Sequence, residues 1–251
     1  MSEEPQQEKD DDRPLRVLRR AIRNLDEFLV TLVTQFRLAF SAFLLVSIPS
    51  TILLVATSFD PLLQDQLSNS RATWWGAVTS IFVHYGILHL AGNVIALFAF
   101  IVLFVILQAY LTVEEKNRRS LFLLWNVFFS GILANVFFLL VSSGSAAGAS
   151  GVVYGSEGVV AGFALFIVFP EDFNRAKFKE HFLGKTNKRR GLVGLVVFAS
   201  FFLEATLFPR VFLAISPGVN SFVHFWAFEI SLMSVVVYMA SRLILTGHTD
   251  S

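Results

Sequence analysis

Ser150 has the setting of a nucleophile. It lies in Gly148-Ala149-Ser150-Gly151, where a short loop rich in Gly, Ser and Ala meets an apolar stretch. A helix that begins here presents unpaired backbone N–H groups and the positive end of its dipole to a negative charge on the serine oxygen. A serine hydroxyl also needs a base that removes its proton. If Ser150 is the nucleophile, the base must come from another part of the chain.

Histidines and an asparagine supply the remaining candidates. Three of the five histidines lie near the ends of apolar stretches: His84, His89 and His224. The other two, His181 and His248, lie in polar segments. His89 and Asn93 are four residues apart, so on a helix they share a face. Asn93 can donate an N–H group but cannot remove a proton, and with His89 it would clamp a developing oxyanion. That pairing leaves His224 as the best base.

The composition is that of a membrane protein. Hydrophobic residues make up 55% of the 251 residues, mean hydropathy is +0.64 and charged residues are 16%, whereas soluble domains carry about 25% charged residues. The net charge of +1 gives no indication of a nucleic-acid partner. Without cysteine the chain can have no disulfide and no thiolate nucleophile. The sequence implies no metal and no organic cofactor.

Six stretches are long and apolar enough to cross a bilayer as helices, which takes about 20 residues at a rise of 1.5 Å each. They cover residues 38–59, 86–110, 120–142, 151–169, 191–208 and 221–241. The sequence therefore predicts an all-α, polytopic bundle of six transmembrane helices. Within it, Ser150, His224 and the His89/Asn93 pair begin the fourth, sixth and second helices.

The basic residues predict the orientation. Apart from Arg71 and Arg210, every Lys and Arg lies before the first stretch, in the second-to-third or fourth-to-fifth connection, or at the end of the chain. We expect the protein to lie in the cell membrane. The positive-inside rule then places these regions, including both termini, on the cytoplasmic side. Ser150, His224, His89 and Asn93 then all lie near the external face, at similar depth.

Three parts are expected along the chain. Residues 1–36 form a cytoplasmic segment with an acidic, disordered start, followed by an amphipathic helix that lies on the membrane surface or packs on the bundle as a cap. Its apolar positions recur at helical spacing: Leu18, Ile22, Leu25, Leu29, Leu32 and Phe36. Residues 37–246 form the membrane domain, and residues 247–251 a cytoplasmic tail.

Two motifs resemble those of the rhomboid family of intramembrane serine proteases. Trp75 to His84 reads W-G-A-V-T-S-I-F-V-H, close to the family pattern W-R-x-x-T-x-x-F-x-H, and is followed by His89 and Asn93 at the family's spacing. Gly148 to Gly155 reads G-A-S-G-V-V-Y-G and matches the family's nucleophile motif. The resemblance covers nearly all of the six predicted helices, in the basic six-helix form typical of prokaryotes.

The resemblance implies a role for each matching residue. Ser150 would be the nucleophile and His224 the general base, a dyad without an acid. His89, Asn93 and the backbone N–H of Ser150 would form the oxyanion hole. Tyr154 would pack against the His224 ring, with Gly148, Gly151 and His84 in support. Substrates would be single-span membrane proteins that reach the site laterally past the fifth helix and residues 209–220, and are cut near the external face.

Two departures from the family pattern stand out. Gly76 replaces the arginine of the family's Trp-Arg pair, which puts the anchoring of the first connection in question. The small residues after the catalytic histidine are Ala227 and Ser231 in place of two glycines, and they still share a face with His224. A matching face of small residues on the fourth helix would let the two backbones approach closely: Gly151, Gly155, Gly158 and Gly162.

Two other functions fit parts of the same sequence. Glu157, Glu204 and Glu229 lie inside predicted spans, where carboxyl groups are costly. They would suit a small transporter with a proton relay, although the chain lacks the internal repeats common in transporters. Glu157 could also hold water near Ser150 or bond a neighbouring helix. The second alternative is a catalytically inactive rhomboid relative that binds and escorts membrane proteins.

Overall fold

The computed structural model describes residues 33–168, 188–207, 209–212 and 220–247, together with the isolated residues Val17, Ile22 and Val30. Outside these ranges lie the acidic start, most of the expected amphipathic helix, the basic connection with His181, most of the loop before the sixth predicted span, and His248. Nine α-helices lie wholly within the described ranges: α1 Arg37–Phe59, α2 Pro61–Leu67, α3 Gly76–Thr79, α4 Ile87–Gln108, α5 Val113–Val141, α6 Ser150–Val168, α7 Lys188–Leu207, α8 Pro209–Phe212 and α9 Ser221–Gly247.

The chain is a multi-pass, all-α membrane protein. Five helices are long and apolar enough to span a bilayer, namely α1, α4, α5, α6 and α9. The apolar part of α7, Gly191–Leu207, is shorter. With its three preceding residues, however, α7 reaches 20 residues, about 30 Å at 1.5 Å per residue. The predicted bundle of six helices is confirmed.

The start of α5 differs from the expectation. Hydropathy predicted a helix from residue 120, yet α5 begins at Val113 and runs for 29 residues. The Thr112 side chain accepts a hydrogen bond from the Glu115 N–H, and Glu114 and Glu115 occupy the first turn, where negative charge favours a helix N-terminus. Two charged turns therefore extend the apolar helix, and a hydropathy pattern alone does not show them.

Helix α6, which begins at Ser150, lies in the centre of the bundle. In its most apolar 18-residue window 83% of the residues are buried, against 22–39% in the other four spanning helices. Its glycines allow α9 to approach: Gly155 faces Ser231, Gly158 faces Phe228 and Ser231, and Gly162 faces Val235. A Cβ on Gly162 would lie 2.7 Å from Cβ of Val235. Gly151 in turn faces Val223, so the expected small-residue face is confirmed.

At the end of the bundle away from Ser150, the first turns of α5 carry a charged network. Glu115 accepts from Arg119 Nε at 2.9 Å and forms ion pairs at 3.5 Å with Arg118 and Arg242. Arg119 also donates to the Gln108 side chain at 3.0 Å. This network joins α5 to the ends of α4 and α9.

The end of the N-terminal segment packs into this same end of the bundle. Phe36, just before α1, is 1% exposed. Its ring meets that of Phe104 at 6.4 Å, and the Lys116 ammonium lies 5.5 Å from its centroid. Phe36 thus belongs to the core of the membrane domain. The division between a cytoplasmic segment, residues 1–36, and a membrane domain stays a prediction for the other residues of that segment.

Candidate active site

The connection between α1 and α4 carries its own short helices. Asp60 accepts from the Leu62 N–H and caps α2, and Thr79 Oγ1 donates to the Leu67 carbonyl at 2.8 Å. Trp74 is 72% exposed and Trp75 is 44% exposed. Exposed tryptophans at the ends of spanning helices are typical of the membrane–water interface. The connection is therefore a folded element beside the start of α6.

A buried pair of asparagines anchors this connection to α5. Asn135 Nδ2 donates to the Ala77 carbonyl and to Ser80 Oγ, both at 3.1 Å. Asn69 Nδ2 donates to the Asn135 carbonyl at 3.0 Å. The motifs in the sequence did not predict this anchor, although an asparagine inside an apolar helix is a signal of one because polar groups there are costly without partners.

Gly76, the departure from the family's Trp-Arg pair, has a steric explanation. A Cβ at this position would lie 2.6 Å from the Asn69 Cα and against the Ser68 carbonyl. The backbone of the connection therefore occupies the space that a side chain would need. The asparagine pair supplies anchoring that does not depend on an arginine at residue 76.

The turn before Ser150 is tied to the first connection by backbone hydrogen bonds. Asn69 and Ala146 exchange two of them, at 2.8 and 2.9 Å, and the Gly148 N–H donates to the Ser80 carbonyl at 2.8 Å. One residue later, the Ala149 N–H donates to Nε2 of His84 at 3.2 Å. The position of Ser150 at the start of α6 is thus set from outside its own helix.

His84 acts on this turn as a neutral acceptor. A backbone N–H can only donate, so Nε2 is the unprotonated nitrogen. Nδ1 then carries the proton and donates to the Phe82 carbonyl at 3.3 Å. Burial of the ring and the neighbouring His89 lower the pKa of His84 to about 4, although the bond to Phe82 opposes this. Both ring nitrogens are therefore used in holding the backbone.

His89 and Asn93 lie directly against Gly148. A Cβ on Gly148 would lie 2.7 Å from His89 Cε1, 2.9 Å from His89 Nε2 and 3.7 Å from Asn93 Nδ2. Gly148 also has a φ of 128°, which favours glycine. Only glycine therefore fits this turn. The two side chains approach the backbone two residues before Ser150, which fits the prediction that they share a helix face.

The amide nitrogen of Asn93 is a buried donor that has no hydrogen-bond partner among the described residues. Such groups are uncommon and call for an explanation. Gln108 and Asn220 carry similar nitrogens, so an unpaired amide alone does not identify a site. Asn93 differs in its surroundings, because the Nε2 edge of His89 and the turn before Ser150 lie next to it. These groups together can offer N–H donors to an oxygen near Ser150.

His224 reaches the same region from α9. Asn220 accepts from the Val223 N–H at the start of this helix, and His224, in its first turns, is 4% exposed. Its ring stacks on that of Tyr154, with centroids 4.2 Å apart and planes 14° apart. Tyr154 lies one turn after Ser150 on α6, so the stack places His224 beside the first turns of that helix.

Ser150 is half-buried at this junction. In the described part of the chain no hydrogen bond joins its Oγ to His224. Catalytic hydrogen bonds are often long in an enzyme without substrate and shorten in the reacting complex. The arrangement thus brings Ser150, His89, Asn93, His224 and Tyr154 to one end of the bundle, with His84 holding the turn between them.

Comparison with known proteins agrees with this geometry. A family model described as the Rhomboid domain matches residues 71–245, from the first connection to the end of α9. The chain belongs to the rhomboid family. Members of this family are generally membrane-embedded serine proteases that act on membrane proteins within the bilayer. No curated protein matches the chain.

The acidic residues of this rhomboid lie deeper than the serine turn. Glu157, two turns after Ser150, is 5% exposed. Glu204 and Glu229 are half-buried. The family match does not favour the transporter reading of these carboxyl groups.

Proposed function

We propose that this rhomboid is an intramembrane serine protease that uses Ser150 and His224 as a catalytic dyad. The observation that carries the proposal is the stack of His224 on Tyr154, one helical turn from Ser150. It gives a buried histidine on α9 a fixed ring plane next to the serine of α6. An aromatic ring can orient the base in this way without a carboxylate.

The proposed reaction follows from the groups around Ser150. His224 takes the proton from Ser150 Oγ as the oxygen attacks the substrate carbonyl carbon. The resulting oxyanion accepts hydrogen bonds from Asn93 Nδ2, from His89 Nε2 when that nitrogen carries a proton, and from the Ser150 N–H. His224 then protonates the leaving amine, and an ester to Ser150 remains. Water, deprotonated by His224, hydrolyses the ester and restores the free serine.

A matched pair of serine variants tests the proposal. Purified wild type and Ser150→Ala are incubated with a library of tagged single-span membrane segments. Ser150→Ala should abolish cleavage, and loss of one hydroxyl at a helix end should cost at most about 1 kcal/mol of stability. Ser156→Ala is the control, because Ser156 lies on the same helix but its hydroxyl bonds the Val152 carbonyl. Substrate binding without cleavage by the wild type would favour the escort function instead.

The substrate class and route are part of the proposal. Single-span proteins would approach beside α7, because the buried residues of its described part lie in its first half, away from the site: Gly191, Gly194 and Val197. A Cβ on Gly194 would lie 2.9 Å from the Ile167 Cβ, near the end of α6 opposite Ser150. Toward the site, α7 contributes only partly buried side chains, such as Phe201 and Ala205. A gap could therefore open at that end while the other end stays packed.

We further propose that both termini are cytoplasmic and that the site faces outward across the cell membrane. The chain has no cysteine, so single cysteines report without background. Ser145→Cys, beside the serine turn, should react with an impermeant maleimide added to whole cells. Val113→Cys, at the other end and 54% exposed, should react only after permeabilisation. The reverse pattern would contradict this orientation.

A further inference from the structure

One buried acidic side chain has no part in the proposed reaction. Glu157 lies on α6, seven residues after Ser150, and is 5% exposed. Seven residues of helix correspond to about 10 Å. In the part of the chain that the structure describes, its carboxyl group has no hydrogen-bond partner and no ion pair. Burying a carboxyl group without a partner is costly, so the position calls for an explanation.

Glu157 lies on the face of α6 that meets α7 and α9. It follows Tyr154 by three residues and precedes Ala161 by four, so the three side chains share one helix face. Ala161 forms a buried apolar cluster with Phe228 of α9, and Tyr154 packs against that cluster. Along this face, apolar and aromatic side chains therefore flank Glu157.

Helix α7 presents a second carboxyl group to the same cluster. From residue 200 onward, its partly buried residues are Phe201, Glu204 and Ala205, and the other described ones are exposed. Phe201 and Ala205 pack against the cluster of Ala161 and Phe228. Glu204 shares their side of the helix, so it lies on the inward face of α7, beside the proposed approach of the substrate.

The two carboxyl groups lack a basic partner. No ion pair joins Glu157 or Glu204 to a described Lys or Arg side chain. Residues 213–219, between α8 and α9, contain no basic residue, and the other segments outside the described ranges that contain one join the bundle at the end opposite Ser150. The described residues also include no group of three side chains that could hold a metal ion. A basic side chain from another molecule would complete this site.

We infer that Glu157 forms a substrate subsite for a lysine or arginine side chain that enters beside α7. This inference rests on the proposed function and names a substrate feature that its site would select. Long basic side chains pack their apolar stems on apolar surfaces and extend the charged end to a polar group, and aromatic rings such as Tyr154 attract cations. An extended segment advances about 3.3 Å per residue. The second and third residues from the cleaved bond, on its membrane side, therefore lie within reach of Glu157.

Matched substrate segments test this inference. A tagged single-span segment that the wild type cleaves is made with Lys or with Met at each of the first four positions on the membrane side of the cleaved bond. At the second or third position, a charged hydrogen bond should raise kcat/KM for Lys about tenfold or more over Met. Glu157→Gln should cleave the two segments with kcat/KM values within about twofold of each other. Glu114→Gln removes an exposed carboxylate that pairs with Arg118 at the other end, and it should keep the preference.

Binding measurements separate this inference from the proposed function. The affinities of the same segments for Ser150→Ala, followed by fluorescence anisotropy, should show the same preference for Lys, because the subsite does not use the serine hydroxyl. If the wild type cleaves no segment, the proposed function fails, and a segment that it binds carries the substitutions instead. Equal affinities for Lys and Met at every position, or a preference for Lys that survives in Glu157→Gln, would overturn the subsite.

Discussion

The two ends of this bundle are held by different kinds of interaction. In the turn before Ser150 the described contacts join neutral groups and mostly reach backbone atoms, as His84 does at Ala149. At the opposite end they join charged side chains, with Glu115 at the centre. Neutral, directional bonds fix the main chain without placing a charge beside His224, the proposed base. Charged pairs add stability away from the proposed site. Variants at the serine end should therefore change the rate, and variants at the charged end should change stability.

The largest effect among the following variants is expected from Asn93→Ala. Removing one oxyanion donor typically lowers kcat by about 10²–10³, and the unpaired, buried Asn93 nitrogen should leave stability almost unchanged when lost. Covalent labelling of Ser150 should persist. Asn126→Ala is the control, since Asn126 accepts from Ser231 between α5 and α9 and should mainly lower stability. A wild-type kcat in Asn93→Ala would remove Asn93 from the oxyanion hole.

Ala227→Leu should lower the rate without removing any reactive group. Ala227 is fully buried in a cluster with Ala134 and Val223, against which Tyr154 packs. Overpacking there typically costs about 1–3 kcal/mol and shifts neighbours. A shift near 1 Å between base and nucleophile can cost about 10²-fold in rate.

Two neighbouring variants serve as controls for the packing prediction. Ala227→Gly should be close to wild type, and Phe225→Leu should be mild because Phe225 is 41% exposed. Kinetics on the purified proteins make the comparison. Normal turnover in Ala227→Leu would mean that this packing does not align His224.

Because of His84, the stability of the serine end should depend on pH. Its pKa in the folded protein, about 4, lies below the ordinary 6.5, so between these values the unfolded chain binds more protons. The contribution of His84 to stability is then complete above pH 6.5 and is lost as pH falls toward 4. His84→Gln keeps an acceptor for the Ala149 N–H. Its melting temperature should depend less on pH over that range than the melting temperature of the wild type.

Further variants and measurements check the role of His84. His84→Ala lacks the acceptor and should lower stability at neutral pH, with a smaller loss of rate than Asn93→Ala. Thermal unfolding of all three proteins at several pH values provides the data. An identical pH dependence in wild type and His84→Gln would contradict the role of His84 as a neutral anchor.

The smallest effect on rate is expected from Glu115→Gln at the charged end. Loss of the carboxylate charge leaves Arg118, Arg119 and Arg242 close together and should cost about 1–3 kcal/mol of stability. The kcat of the folded protein should stay within about twofold of wild type, because the site lies at the other end of α5. A large fall in kcat at unchanged stability would show that the two ends are coupled.

Local sequence patterns predicted the helices and the serine turn. Long apolar runs identify spanning helices from composition alone, and the Gly148–Ser150 turn and the His89/Asn93 pair each lie within a few residues. The glycine face of α6 followed from spacing in the same way. Each of these features depends on neighbours in sequence.

Local sequence patterns did not predict the contacts between segments that are far apart in the sequence. The Asn69–Asn135 anchor joins residues 66 positions apart, and His84 meets Ala149 over 65 positions. The charged first turns of α5 were missed for a different reason, since a cap at Thr112 and ion pairs extend a helix without raising its hydropathy. Even so, Asn135 is a polar residue inside an apolar stretch, and the sequence alone shows this.

Covalent labelling tests the central claim, that His224 activates Ser150, most directly. The purified protein is treated with a fluorophosphonate probe, and the modified residue is located by mass spectrometry. We predict a single site at Ser150 in the wild type, no labelling of Ser150→Ala, and very slow labelling of His224→Ala, because a serine without its base is a weak nucleophile. No reaction of a folded wild type, labelling at another serine, or equal rates with and without His224 would contradict the claim.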